Sequence, residues 1–255
     1  MVARREFAGT ELEVIAFDLA SCRIAQDRGA DRIELCANPH EGGTTPSYGM
    51  IAAARRSTLL QLFPIIRPRG GDFLYTPMEF DAMLADVKQC AALGCDGVVI
   101  GMLADDGSID IQRCAELIHH AGSMQVTFHR AFDRVRDPLA ALEEIIGLGC
   151  SRILTSGLRP NVEEGKEVLK ALVEAAGDRI TIMPGSGVRS TNVLEIATFT
   201  GATAFHSSAR TLRASRMHYA NPALRESLDS VSIDPDEVTR LRRILDALEE
   251  GPSRR

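Results

Sequence analysis

Histidine, glutamate and arginine recur in this chain at one kind of position, just after a short apolar run. Glu34 stands in RIELC, ahead of Cys36-Ala-Asn-Pro-His-Glu-Gly-Gly. Arg67 and Arg69 open Arg-Pro-Arg-Gly-Gly-Asp72, and His129-Arg130 ends another run with Asp133 close behind. Imidazole titrates near neutrality, so His129 and His206 are candidate acid–base groups, with Glu34 and Asp133 as carboxylate candidates. The guanidinium forks of Arg67, Arg69 and Arg130 suit planar oxyanions. Gly185-Ser186-Gly187 would let backbone N–H groups approach an anion, and Ser156, Ser207 and Ser208 would add hydroxyl donors. This set fits a small anionic or phosphorylated ligand and proton transfer on it. The competing reading makes Glu34, Asp72 and Asp133 ion-pair partners of the arginines, the histidines core residues and the glycines a tight turn. If the arginines do surround His129, like charge pushes it towards its neutral form, able to act as a base at pH 7.

Absences narrow the chemistry. The three lysines (Lys88, Lys166, Lys170) fall in helical patterns, which argues against a Schiff-base aldolase. The first apolar run ends Val-Ile-Ala-Phe-Asp without an H-x-H pair, which argues against an amidohydrolase-type metal site. Gly185-Ser186-Gly187 lacks the third glycine of a dinucleotide fingerprint.

The elements that must position these residues follow from the apolar runs. LEVIAF, RIELC, LFPIIR, DGVVIG, QVTFHR, RILTSG, ITIMPG and TAFHSS recur every 20–40 residues and read as strands buried on both faces. Helical patterns lie between them, at 21–30, 76–94, 137–149 and 161–177 among others. The last carries Val162, Val168, Leu169, Leu172 and Val173 on one stripe. Eight strand–helix units in 255 residues predict a single-domain α/β fold, a (β/α)8 TIM barrel, ahead of an open doubly wound sheet. In such a barrel the C-terminal strand ends share one mouth, so the candidates would converge there. The domain is expected over 12–250, after a leader at 1–11. It should include a long loop at 209–233 and a closing helix at 235–250.

Composition agrees with a globular protein: 45% apolar and 25% charged residues, with no apolar run near the ~18 residues a membrane helix needs. A net charge of −6 gives no reason to expect a nucleic-acid partner. Six scattered cysteines without a C-x-x-C, and no apolar signal segment at the start, predict a reduced, cytoplasmic protein.

ADRIELC (30–36) with EGGTTPSYG (41–49), then IIRPRGGDFLY (65–75), VTFHRAFD (126–133), RILTSG (152–157), IMPGSGV (182–188) and FHSSAR (205–210) resemble the copper homeostasis protein CutC family. The resemblance spans about 12–250. It implies a cytosolic TIM barrel that self-associates as a homo-oligomer (dimer or tetramer) and a role in copper homeostasis, but brings no defined reaction. It also implies copper(I) binding, with Cys36 at the family's strand-2 cysteine. Where the partner cysteine belongs, this chain has Ile15, so only half of that site carries over. Three readings stand. One is an isomerase, epimerase or lyase acting on a small anionic substrate. The second is a copper(I)-binding protein using Cys36, and the third a non-catalytic oligomeric scaffold that uses 209–233.

Overall fold

The computed structural model describes residues 9–250, leaving most of the expected leader outside the described residues. Eight parallel strands alternate with helices. They are β1 (Glu11–Ala16), β2 (Arg32–Leu35), β3 (Gln61–Pro64), β4 (Gly97–Ile100), β5 (Gln125–Phe128), β6 (Arg152–Thr155), β7 (Thr181–Pro184) and β8 (Ala204–Ser207). Each of the eight apolar runs contains a strand. Hydrogen bonding groups them as β3-β2-β1-β8 and β4-β5-β6-β7. One seam between the groups is joined by the parallel bridge of Ile65 with Val99, where the Ile66 N–H donates to the Val99 carbonyl at 2.8 Å. At the other, β7 lies against β8 without a ladder among the described residues. The architecture is TIM-barrel-like, with one seam unzipped.

Seven helices connect or follow these strands: α1 (Leu19–Asp27), α2 (Tyr48–Ser57), α3 (Pro77–Ala92), α4 (Ile111–Ala121), α5 (Pro138–Gly147), α6 (Val162–Ala176) and α7 (Val193–Thr200). Their starts are set locally. Thr76 and Glu79 form a reciprocal capping box on α3, with Pro77 in its first turn. Asp137 accepts from the Leu139 and Ala140 N–H groups ahead of α5. The α6 stripe turns inward as expected, burying Val162, Leu169 and Leu172.

The expected long loop is partly ordered. β9 (Arg210–Arg213) and β10 (Ser230–Ile233) pair antiparallel, and α8 (Pro235–Glu250) then closes the chain. Polar composition concealed the pair, because β9 is exposed at every position and only β10 turns three residues inward.

The core is divided. One large apolar shell lies between strands and helices. Inside the barrel there are two small apolar clusters, Ile15–Cys36–Phe63–Ile65–Val99 and Leu154–Met183–Ala204. The rest of the interior is polar and charged.

The loop after β6 is held against α6 by a close backbone approach. A Cβ on Gly165 would collide with the Ser156 carbonyl oxygen and lie 3.1 Å from the Gly157 Cα. Backbone cannot swing aside as a side chain can, and overpacking of this kind costs roughly 1–3 kcal/mol. Gly165→Ala should therefore lower the melting temperature by about 2–12 °C, read by calorimetry, at roughly 2–4 °C per kcal/mol.

Candidate active site

Strand register builds the floor of the site. In the parallel ladders Glu13 of β1 is paired with Arg32 of β2 on one side and with His206 of β8 on the other. Residues in one row of a sheet point to the same face, so all three enter the barrel. Arg32 Nε lies 2.5 Å from a Glu13 oxygen, and its guanidinium stacks on Phe63 at 3.4 Å. The other Glu13 oxygen meets His206 Nδ1 at 2.7 Å. Burial by itself would raise the Glu13 carboxyl, but the Arg32 charge and the His206 hydrogen bond outweigh it and bring its pKa down to about 2. Glu13 is thus an ionised acceptor, which assigns the Nδ1 proton to His206 and turns His206 Nε2 away from it.

Glu34 stands one row higher on β2, paired with Ile15. Its carboxylate lies 3.8 Å from His206 Nε2. Burial, reinforced by the Glu13 charge, lifts Glu34 to about 7 against the pull of His206. Burial disfavours the imidazolium, yet the hydrogen bond to Glu13 and the charges of Glu34 and Glu13 prevail, so the His206 pKa is raised. Burial thus favours the neutral acid on Glu34 while His206 holds a proton more readily than a free imidazole, and the two are too far apart for a direct hydrogen bond.

Both groups open into a cavity of about 620 Å³ at the C-terminal mouth of the barrel. Arg67, Phe73, His129, Arg130 and Asp133 also line it. Arg67 is a buttress: it donates to the carbonyls of Glu41 and Gly43 at 2.7 and 2.8 Å and of Gly71 at 3.0 Å. Arg130 pairs with Asp133 at 2.7 Å and donates to Ser156 Oγ at 3.0 Å. Asp133 also accepts from Thr155, Ser156 and Leu158, which ties it to the loop after β6. Arg134 and Arg159 reach the rim, exposed and without a carboxylate partner among the described residues.

The remaining candidates lie elsewhere. Arg69 turns outward to Asp72 at 2.9 Å and Glu79 at 2.6 Å, so neither Arg69 nor Asp72 lines the cavity. Gly185, Ser186, Gly187, Ser207 and Ser208 do not line it either. The Ser186 and Ser207 hydroxyls donate to the Pro160 and Val188 carbonyls, which locks the rims of β7 and β8. Sequence reasoning missed Glu13, Arg32, Arg134 and Arg159. The signal for the first two was charge at alternate positions, Glu11-x-Glu13 and Arg32-x-Glu34, inside otherwise apolar strands.

Comparison with known proteins agrees with the barrel and decides the family. A family model described as the CutC family matches residues 10–211. This chain belongs to the CutC family. A CutC family protein of Chromobacterium violaceum is 48% identical over 94% of this chain and 98% of its own length. One from Bacteroides thetaiotaomicron is also 48% identical, over 94% and 97%. The crystal structure of CutC from Streptococcus agalactiae superposes with a TM-score of 0.75 at 33% identity, covering 78% of this chain and 98% of that one. Its name ties it to copper homeostasis.

The residues present do not fit copper(I), which favours two or three soft sulfur ligands. Cys36 sits among Ile15, Phe63, Ile65 and Val99, while the other five cysteines belong to the outer shell. Burial pushes the Cys36 thiol well above its ordinary range, and the Glu34 and Glu13 charges add to that. Among the described residues, Glu13, Glu34 and His206 are the one trio of His, Cys, Asp or Glu close enough to share an ion. It contains no sulfur, and Arg32 already balances Glu13.

The two carboxylates should respond oppositely to substitution. Breaking a buried pair leaves a bare charge and costs about 3–5 kcal/mol, so Glu13→Ala should be strongly destabilising at pH 7. Glu34 keeps its proton in the fold to about pH 7, against 4.5 as its ordinary value. Its stabilising contribution is complete below pH 4.5 and lost as pH rises through 7. Glu34→Gln, which mimics the protonated acid, should therefore gain stability over the parent between pH 5 and pH 8, measured by denaturant unfolding.

Proposed function

We propose that this CutC family protein is an acid–base enzyme that moves a proton on a small anionic ligand, by isomerase, epimerase or lyase chemistry. The observation that carries this reading is the Glu34–His206 pair, facing across 3.8 Å into a cavity lined by arginines. The two groups stand side by side at the cavity, so a substrate carbon placed over them would be within reach of both. One takes a proton from carbon and the other returns it, while Glu13 fixes the imidazole so that Nε2 is the reacting nitrogen. Arg134 and Arg159 supply unpaired positive charge at the rim for the ligand's anionic group. Six free, buried cysteines fit a reducing, cytoplasmic setting, and no helix among the described residues is long and apolar enough to cross a membrane.

The test is hydrogen–deuterium exchange at carbon. A panel of small hydroxycarbonyl phosphates and carboxylates is incubated with the protein in D2O and followed by NMR. We expect exchange into at least one compound, with a bell-shaped pH profile, because only the singly protonated pair can both take and return a proton. Glu34→Gln should lower the rate at least 100-fold, within the range general acid–base catalysis contributes. Arg134→Ala with Arg159→Ala should weaken binding about tenfold, with less effect at saturation. No exchange in any compound, or exchange that survives Glu34→Gln, would sink the proposal.

Copper gives a separate check. In anaerobic titration with a competing chelator, Cys36→Ser should leave copper(I) affinity unchanged. A loss of more than tenfold would restore Cys36 as a ligand.

A further inference from the structure

We propose that His129 is a fixed hydrogen-bond donor that holds a carbonyl oxygen through Nε2–H, so that the ligand is a small anionic carbonyl compound reacting through its enol or enolate form. This rests on the reading of Glu34 and His206 as the proton-transferring pair, and deepens it by naming the substrate class. It also replaces the sequence expectation of His129 as a base.

The tautomer follows from the backbone. His129 caps the 3-10 turn Arg130–Arg134, and its Nδ1 accepts from the Ala131 N–H at 3.1 Å. That amide hydrogen has a fixed direction, so Nδ1 must present a lone pair. A neutral imidazole then carries its one proton on Nε2.

The ring has little freedom. Its own backbone N–H is held by the Ile100 carbonyl at 2.8 Å. Phe73 lies 5.0 Å from the ring centre and Phe128 6.1 Å. Gly101 leaves the space the imidazole fills, since a Cβ there would collide with His129 Cε1 and Nδ1.

His129 is 3% exposed and lines the cavity, yet Nε2 has no partner in the protein. A buried donor left unsatisfied costs roughly 1–3 kcal/mol, so this nitrogen is primed for an oxygen brought by a ligand. The charged and titratable groups lining the same cavity are His40, Glu41, Arg67, Arg130, Asp133, Arg134 and Arg159 towards the mouth, and Glu34 and His206 from the floor. None of them hydrogen-bonds to the ring. Burial and the Arg67 charge hold the His129 pKa at about 3, so the ring stays neutral through the physiological range. A neutral donor keeps its proton while stabilising negative charge on oxygen.

The step balances without a further reactant. The Glu34–His206 pair takes the proton alpha to the carbonyl, and the C–H electrons form the new C=C bond. The carbonyl π pair moves to oxygen, where His129 Nε2–H meets it, and as the carbonyl re-forms the proton returns to the same carbon. The anionic neighbour of that carbonyl is a phosphate or a carboxylate, and Arg134 and Arg159 accept either.

Two measurements on the full-length protein test this. The first is the nitrogen NMR of the histidine rings between pH 5 and 8, independent of any turnover. His129 should show a protonated Nε2, a bare Nδ1 and no titration. The opposite tautomer, or protonation in that range, overturns the proposal. The second compares phosphoglycolohydroxamate with phosphoglycolate, and oxalate with acetate, by calorimetry. At least one planar enolate mimic should bind tenfold or more tighter than its counterpart, since such mimics exploit transition-state complementarity. His129→Leu should erase that preference, and His129→Gln, which keeps an N–H donor, should retain part of it. No preference for either mimic, or one that survives His129→Leu, overturns the proposal. Loss of proton exchange with the NMR and mimic results intact would instead place the failure in the Glu34–His206 reading.

Discussion

A negative charge inside a β-barrel needs a positive neighbour, and in this protein that neighbour is Arg32. The Glu13–Arg32 pair lies in the middle of the interior, where either charge alone would be strongly unfavourable. Because Arg32 keeps Glu13 ionised, Glu13 can accept from His206 Nδ1 and set that imidazole's orientation. Burial makes Glu34 resist losing its own proton, and the charge already on Glu13 adds to that. The ion pair therefore acts on both neighbouring groups. The interior carries a second support from the other half of the barrel, where Arg152 of β6 binds Glu11 at 2.8 Å.

The barrel distributes tasks by depth. At the bottom of the interior, charge is neutralised and fixed. Beside Glu13, His206 is raised above its ordinary pKa, and one row higher Glu34 is lifted to about 7 beside open space. At the mouth, Arg67 and Asp133 are consumed in holding loops, and the exposed Arg134 and Arg159 carry the uncompensated charge. His129 belongs to neither acid nor base; its proton is fixed by a backbone amide. The polar interior fits copper(I) poorly because it is built from oxygen, nitrogen and guanidinium, and the one nearby thiol lies between apolar side chains and the Glu34 carboxyl, without a second sulfur.

Much of this was legible in the residues. The eight apolar runs, the capped helices and the motifs of the CutC family place Glu34, Arg67, His129, Arg130, Asp133 and His206 at the barrel mouth, and the structure puts all six on one cavity. The rims of β7 and β8, expected at the same mouth, do not line that cavity. Gly185-Ser186-Gly187 and Ser207-Ser208 have the chemistry of an anion grip, but a hydroxyl bonds whatever acceptor is nearest. Here the Ser186 and Ser207 hydroxyls donate to the carbonyls of Pro160 and Val188. Arg69 is likewise held by Asp72 and Glu79 outside the cavity.

The sequence by itself determined the fold, the family and the list of chemically able side chains, because periodicity and capping act over a few residues. Only the tertiary structure decided which of them share a proton. Glu13 and His206 are 193 positions apart, and they become neighbours when β8 pairs with β1 to close that side of the barrel. Protonation depends on burial and on charges a few ångströms away, and those distances exist only once the ring of strands has formed.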